Sequence, residues 1–144
     1  MSQVEAALGL FEEGCNCAQA VCAALGPGLG LPRETCLALG AGFGAGMGRE
    51  GEVCGALSGG LMILGLRHGR GEADPVALKE RVYERAQELL AGFRARHGTL
   101  RCRDLLGCDL KTPEGRQQSK DRDLHHAVCA GLVREVVEFL EAGT

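Results

Sequence analysis

Aromatic side chains are nearly missing from this chain: among 144 residues there are four Phe, one Tyr and no Trp. A core must therefore be built by close packing of Leu, Val, Ala and Gly, and no aromatic platform is on offer for stacking nucleobases. Basic runs are also lacking, and the formal charge is −3. Nucleic-acid partners, which ask for a basic patch, are excluded on that ground, and no polybasic membrane signal is present. The only near-continuous apolar stretch, Val53 to Leu66, is interrupted by Gly55, Gly59, Gly60 and Gly65. It falls short of the roughly 20 residues that span a bilayer, so it reads as a buried helix without membrane insertion. No run alternates β-branched with polar residues, so strands are not expected. The first 14 residues carry Glu5, Glu12 and Glu13 and no positively charged leader, which points to a cytoplasmic chain in which lasting disulfides are rare.

Missing, too, are the short cysteine pairs of zinc knuckles and the Cys-x-x-Cys of thioredoxin-like proteins. Yet there are eight cysteines: Cys15, Cys17, Cys22, Cys36, Cys54, Cys102, Cys108 and Cys129. In a reducing compartment these read as reactive, metal-binding or buried. Cys22 and Cys36 fit the packing role, since free cysteine behaves as a small hydrophobe.

The helix signals set the order of the chain. A first helix covers residues 2 to 13 and stops at Gly14. Asn16 caps a second, which ends at Gly26-Pro27-Gly28. Pro32 opens a third, running toward Gly48 with Gly40, Gly44 and Gly48 on one face. Glycine inside a helix costs about 0.5–1 kcal/mol relative to Ala, and the return expected here is close helix–helix approach. Such a small-residue face would also suit a homodimer. A phosphate loop is not indicated, because no Gly-Lys-Ser/Thr follows. Asp74-Pro75 starts the longest helix, which carries the apolar stripe Leu78, Val82, Ala86, Leu89 and Phe93 and ends at Gly98. Residues 99–110 form a short helical turn and connector. Thr112 to Lys120, with Pro113 and Gly115, reads as an exposed loop. A last helix spans about 122–142. With no linker and no internal repeat, residues 1–144 are expected to form one all-α domain, a bundle of five to six helices.

Several cysteines fall at expected helix starts. Cys17 follows the Asn16 cap, Cys54 precedes the apolar helix, and Thr99 as cap would put Cys102 at the third helical position between Arg101 and Arg103. Cys129 lies one to two turns into the last helix. Helix N-termini and nearby cations favour thiolate, so Cys17, Cys54 and Cys102 are expected to have lowered thiol pKa values, Cys129 less so. Arg49, a little before Cys54, and Gly55, directly after it, are the expected cofactor-binding positions, with Arg49 adding positive charge near the Cys54 sulfur. A Cys129–His125/His126 nucleophile–base pair lacks a third orienting group. Ser58 lacks the strand–turn–helix setting of a serine nucleophile.

GCNCAQAV at 14–21, GAGFGAGMGREGEVCGALSGGLMILGL at 40–66, RCRDLLGCDL at 101–110 and the Cys129-x3-Val133 helix resemble the C_GCAxxG_C_C family. This is a redox-active family named for four shared cysteines and a Cys-Gly-Ala-x-x-Gly motif. The similarity runs along nearly the whole chain, and its specific part is Cys54-Gly55-Ala56-Leu57-Ser58-Gly59. By position it implies that Cys17, Cys54, Cys102 and Cys129 are the shared cysteines, with Cys108 an extra. Cys15, Cys22 and Cys36 fall outside the motif and keep the packing role.

One site built from the four could hold an iron–sulfur cluster or another thiolate-bound metal for exchange with an unidentified redox partner. It could instead run a metal-free dithiol–disulfide cycle. Four thiolates exceed what a dithiol cycle needs, which tilts the reading toward a metal. A non-redox helical interaction module with cysteines as core filler is the reading from a different class.

Overall fold

The computed structural model describes residues 1–143. It holds eight right-handed α-helices and, among the described residues, no strand. These are α1 (Gln3–Glu12), α2 (Cys17–Leu25), α3 (Arg33–Gly40), α4 (Gly55–His68), α5 (Pro75–His97), α6 (Cys102–Leu106), α7 (Pro113–Asp121) and α8 (Ala130–Ala142). The all-α expectation holds, but the count rises from five or six to eight. None of the helices is long and apolar enough to cross a membrane.

Caps written in the sequence set several boundaries. Ser2 and Glu5 form a reciprocal capping box at α1. Asn16 and Gln19 form another at α2, with both backbone-to-side-chain bonds at 2.9 Å. Each box satisfies two N–H groups that the helix itself leaves open. Asp74 caps α5 ahead of Pro75, and left-handed Gly98 ends it.

Helix α2 lies at the centre. Ala18, Ala20, Val21 and Cys22 are fully buried, and α1, α3, α4 and α8 all pack on it. The closest approach is to α4. A Cβ on Gly59 would stand 2.8 Å from the Ala18 carbonyl oxygen, and one on Gly55 would stand 3.3 Å from the Cys17 Cβ. Gly40 comes equally close to α2, 3.0 Å from the Gln19 Cα by the same measure. The small residues thus bring helices of the same chain together. Helix α5 buries only Leu78, Leu89 and Phe93 and leaves its other faces wet. A second, small apolar cluster joins Leu106, Cys108 and Leu124.

Two elements differ from expectation. The third helix does not reach Gly48: after Gly40 comes a short 3-10 turn over Ala41–Phe43, then a tight turn over Gly44–Met47. Ala45, Gly46, Met47, Gly48 and Arg49 all have positive φ, between 56° and 75°. A left-handed turn costs roughly 1–2 kcal/mol for each non-glycine residue, so it must be held from outside. Gly51 N–H bonds Ala45 O at 3.2 Å and Glu52 N–H bonds Gly46 O at 2.9 Å. Gly46 presses so closely on Cys102 and Glu52 that a Cβ would meet them at 2.8 and 2.6 Å.

The second difference is Thr112–Lys120, which is helix α7 rather than a loop. Thr112 Oγ1 accepts from Gly115 N–H at 2.9 Å, and Pro113 occupies the first helical position. Proline is accommodated there because its missing N–H would have no helical partner.

Candidate functional site

Four separate segments deliver the motif cysteines to one cavity of about 280 Å³. Cys17 opens α2 behind its Asn16 cap. Asn16 also donates through Nδ2 to the carbonyls of Gly40 and Ala41, at 3.3 and 3.1 Å, and so ties the α3 end to the mouth of the site. Cys54 is itself the capping residue of α4. Cys102 is the first residue of α6, not the third: Arg101 stands at the cap, while Thr99 Oγ1 accepts from Arg101 N–H and donates to Asp104. Cys54 and Cys102 are held side by side by backbone bonds, Cys54 N–H to Leu100 O at 2.8 Å and Cys102 N–H to Glu52 O at 2.7 Å. Cys129 ends a π-helical turn over His125–Cys129, just before α8. The expected continuous helix from 122 is broken by Asp123, whose φ is +50°.

Cys17, Cys54, Cys102 and Cys129 all line the cavity. Apolar walls come from Phe11, Leu105, Leu106, Leu110 and Leu132, and no lysine or arginine is among the lining residues. Gly55 lines it as well, packed so that a Cβ would stand 3.1 Å from Phe43 O. Arg49 does not: it is exposed on the left-handed turn and is not among the lining residues.

The protons follow burial more than helix ends. A hydrogen bond to Cys129, with burial adding to it, pushes the Cys17 thiol well up. Burial raises Cys54 to about 11, although the amides of Ala56 and Leu57 pull the other way. Burial, then the neighbouring Cys54 and Cys129, raises Cys102 to about 12. The expected lowering at these three positions is therefore reversed. Desolvation disfavours the charged form, and the half-charge of a helix end does not outweigh it. Cys129 alone is lowered, chiefly by the hydrogen bond from Cys17. The least favoured of the four thus holds the most acidic thiol.

Cys22 and Cys36 lie fully buried in the main core. Burial and the adjacent Cys36 raise Cys22 to about 12. Cys108 sits in the small cluster outside the cavity, raised by burial. Cys15 packs against the core as expected and in addition lines the cavity. His125 was missed as a lining residue as well. The alternation Cys15-Asn16-Cys17 around a capping residue is the signal that could have marked Cys15. Nothing in the sequence announces the π turn that swings His125 to the rim.

All eight cysteines are free thiols. Among the described residues, no three cysteine sulfurs lie within 4.8 Å of one another.

The family model described as "Putative redox-active protein (C_GCAxxG_C_C)" matches residues 15–142. The chain belongs to the C_GCAxxG_C_C family. Within that family match lie Cys17, Cys54, Cys102 and Cys129, together with the Cys54–Gly59 motif, whose two glycines bring α4 onto α2. No curated protein and no solved structure matches the chain.

Proposed function

We propose that Cys17, Cys54, Cys102 and Cys129 together hold an iron–sulfur cluster and that the protein passes electrons to a redox partner. The observation that carries this reading is the meeting of four thiols from four segments on one cavity whose wall has no lysine or arginine. Four thiolates there would repel one another with no lysine or arginine on the wall to offset them, as the raising of Cys102 by Cys54 and Cys129 reflects. A soft cationic centre takes all four as thiolates and removes that repulsion. Sets of four cysteine thiolates are the ligands that hold iron–sulfur clusters. When bound, the cluster would supply the electron-accepting orbitals. The chain supplies the rest: Leu105, Leu106, Leu110 and Leu132 exclude water, and the amides of Ala56 and Leu57 facing Cys54 favour the more negatively charged state.

The test is a visible spectrum with iron and sulfide analysis on protein purified without oxygen. Cluster absorbance with matching iron and sulfide, lost in each single Cys→Ser variant, supports the reading. Metal-free, colourless protein after reconstitution with iron and sulfide would sink it.

One observation favours a second reading, dithiol exchange. Cys17 and Cys129 share a hydrogen bond that leaves Cys129 the more acidic. Cys129 thiolate would attack a disulfide substrate, forming a mixed disulfide and expelling one thiolate. Cys17 would then attack the Cys129 sulfur, releasing the second thiol. The pair gives up two electrons and ends as a disulfide. Peptide mapping after mild oxidation would find Cys17 joined to Cys129; a mixture of pairings would count against it.

A further inference from the structure

A second group of metal-binding side chains stands beside the cysteine cavity and is used by neither reading above. Glu12 at the end of α1 meets His125 and His126 of the π turn, and one ligand atom from each lies within 4.8 Å of the other two. His126 Nε2 is 2.8 Å from Glu12 Oε1. That matches the edge of about 3 Å between two neighbouring ligands of one ion bound at 2.0–2.1 Å. His126 Nδ1 lies 2.9 Å from Asp123 Oδ1. A carboxylate on the far nitrogen fixes the tautomer and turns the near nitrogen's lone pair toward a metal, the usual outer partner of a ligating histidine. Asp123 holds this position at a strained φ of +50°. His125 is fixed differently: its ring stacks on Phe11 at 3.8 Å between centroids and 6° between planes. Phe11 itself is buried, at 3% exposure. The ligand set is thus oriented by packing and a second carboxylate before any ion arrives.

We propose that Glu12, His125 and His126 form a site for a divalent first-row transition ion, with Asp123 as the positioning residue for His126. Two imidazoles and one carboxylate suit zinc, iron(II), cobalt or nickel and not calcium or magnesium, which take oxygen ligands. Three protein ligands leave coordination positions open, as at catalytic rather than structural sites. His125 also lines the cysteine cavity, so the ion would sit at its rim. The site is independent of the cluster and of the dithiol reading.

The test is cobalt(II) titration of the full chain, stripped of metal and kept reduced without oxygen. Cobalt on thiolates gives intense charge-transfer absorption; cobalt on nitrogen and oxygen gives only weak d–d bands. The expected result is a weak-band class of binding at one equivalent, with broadening of the His125 and His126 ring resonances. H126N and E12Q should lower its affinity at least tenfold and leave any thiolate bands unchanged. D123N should weaken it by about 10–100-fold without removing a ligand. All three positions are exposed, and circular dichroism confirms that each variant is folded. Wild-type affinity in H126N and E12Q, or no nitrogen–oxygen class up to millimolar cobalt, would overturn the proposal and leave the cluster as an ion pair.

Discussion

Cys17 and Cys129 are sorted by one hydrogen bond, and the sorting has a kinetic consequence. Cys17 keeps its proton and directs it at the Cys129 sulfur, so thiolate forms first on Cys129. In reduced, metal-free protein, iodoacetamide at neutral pH should label Cys129 before Cys54 and Cys102. Its rate should level off below the ordinary thiol value of 9.0. Cys17→Ala removes the donor and should slow that labelling several-fold, as read by peptide mass spectrometry. Labelling led by Cys54 would show that the helix-end amides win after all. Arg49 offers a second test at this scale. It sits at φ +75° with its side chain exposed, so Arg49→Gly should stabilise the protein by up to about 1–2 kcal/mol in urea denaturation. Lost stability would reveal a side-chain anchor that compensates the strain.

Among the elements, those with their own local chemistry were legible. Asn16 with Gln19, Asp74 with Pro75, and Gly98 each mark a boundary through groups within one turn of it. The segment 40–49 was not legible, because glycine spaced by four imitates a helical small face. What bends it the other way is contact with residues far along the chain, Gly46 against Cys102 above all. In α7 the helix-starting role of Pro113 was outweighed by its polar neighbours, which are polar because the helix lies on the surface. The glycines that do serve close approach can be told apart by substitution. Gly59→Ala would press on Ala18 O at 2.8 Å and Val21 Cβ at 3.0 Å. Overpacking of this kind costs roughly 1–3 kcal/mol, more than the 0.5–1 kcal/mol or so gained from helix propensity. Gly9, inside α1 with nothing within 4 Å, should return that gain in full on change to Ala. Equal effects at the two positions, measured by urea denaturation, would refute close approach as the reason for Gly59.

At the scale of the whole molecule, the gathering of Cys17, Cys54, Cys102 and Cys129 on one cavity was readable, but the place of Cys15 beside them and the proton affinities were not. Helix starts are local; burial exists only once four segments have closed on one another. That closure has its own signature in stability. In the unfolded chain these thiols titrate near the ordinary value of 9.0, whereas in the fold Cys54 titrates near 11 and Cys102 near 12. Below pH 9 both states keep the protons and stability is unaffected. Between pH 9 and about 11–12 the unfolded chain releases protons that the fold retains, so stability falls as pH rises. At about 1.4 kcal/mol for each tenfold gain in proton affinity, buried Cys54 alone contributes a loss of roughly 2–3 kcal/mol across that window. Cys54→Ser keeps a hydroxyl at the cap of α4, where serine is well suited, and should flatten the decline by that amount. The comparison needs urea denaturation of reduced, metal-free wild type and variant at several values from pH 8 upward. Parallel slopes in the two would mean that Cys54 is not desolvated, and that the cavity is open to water in the free protein.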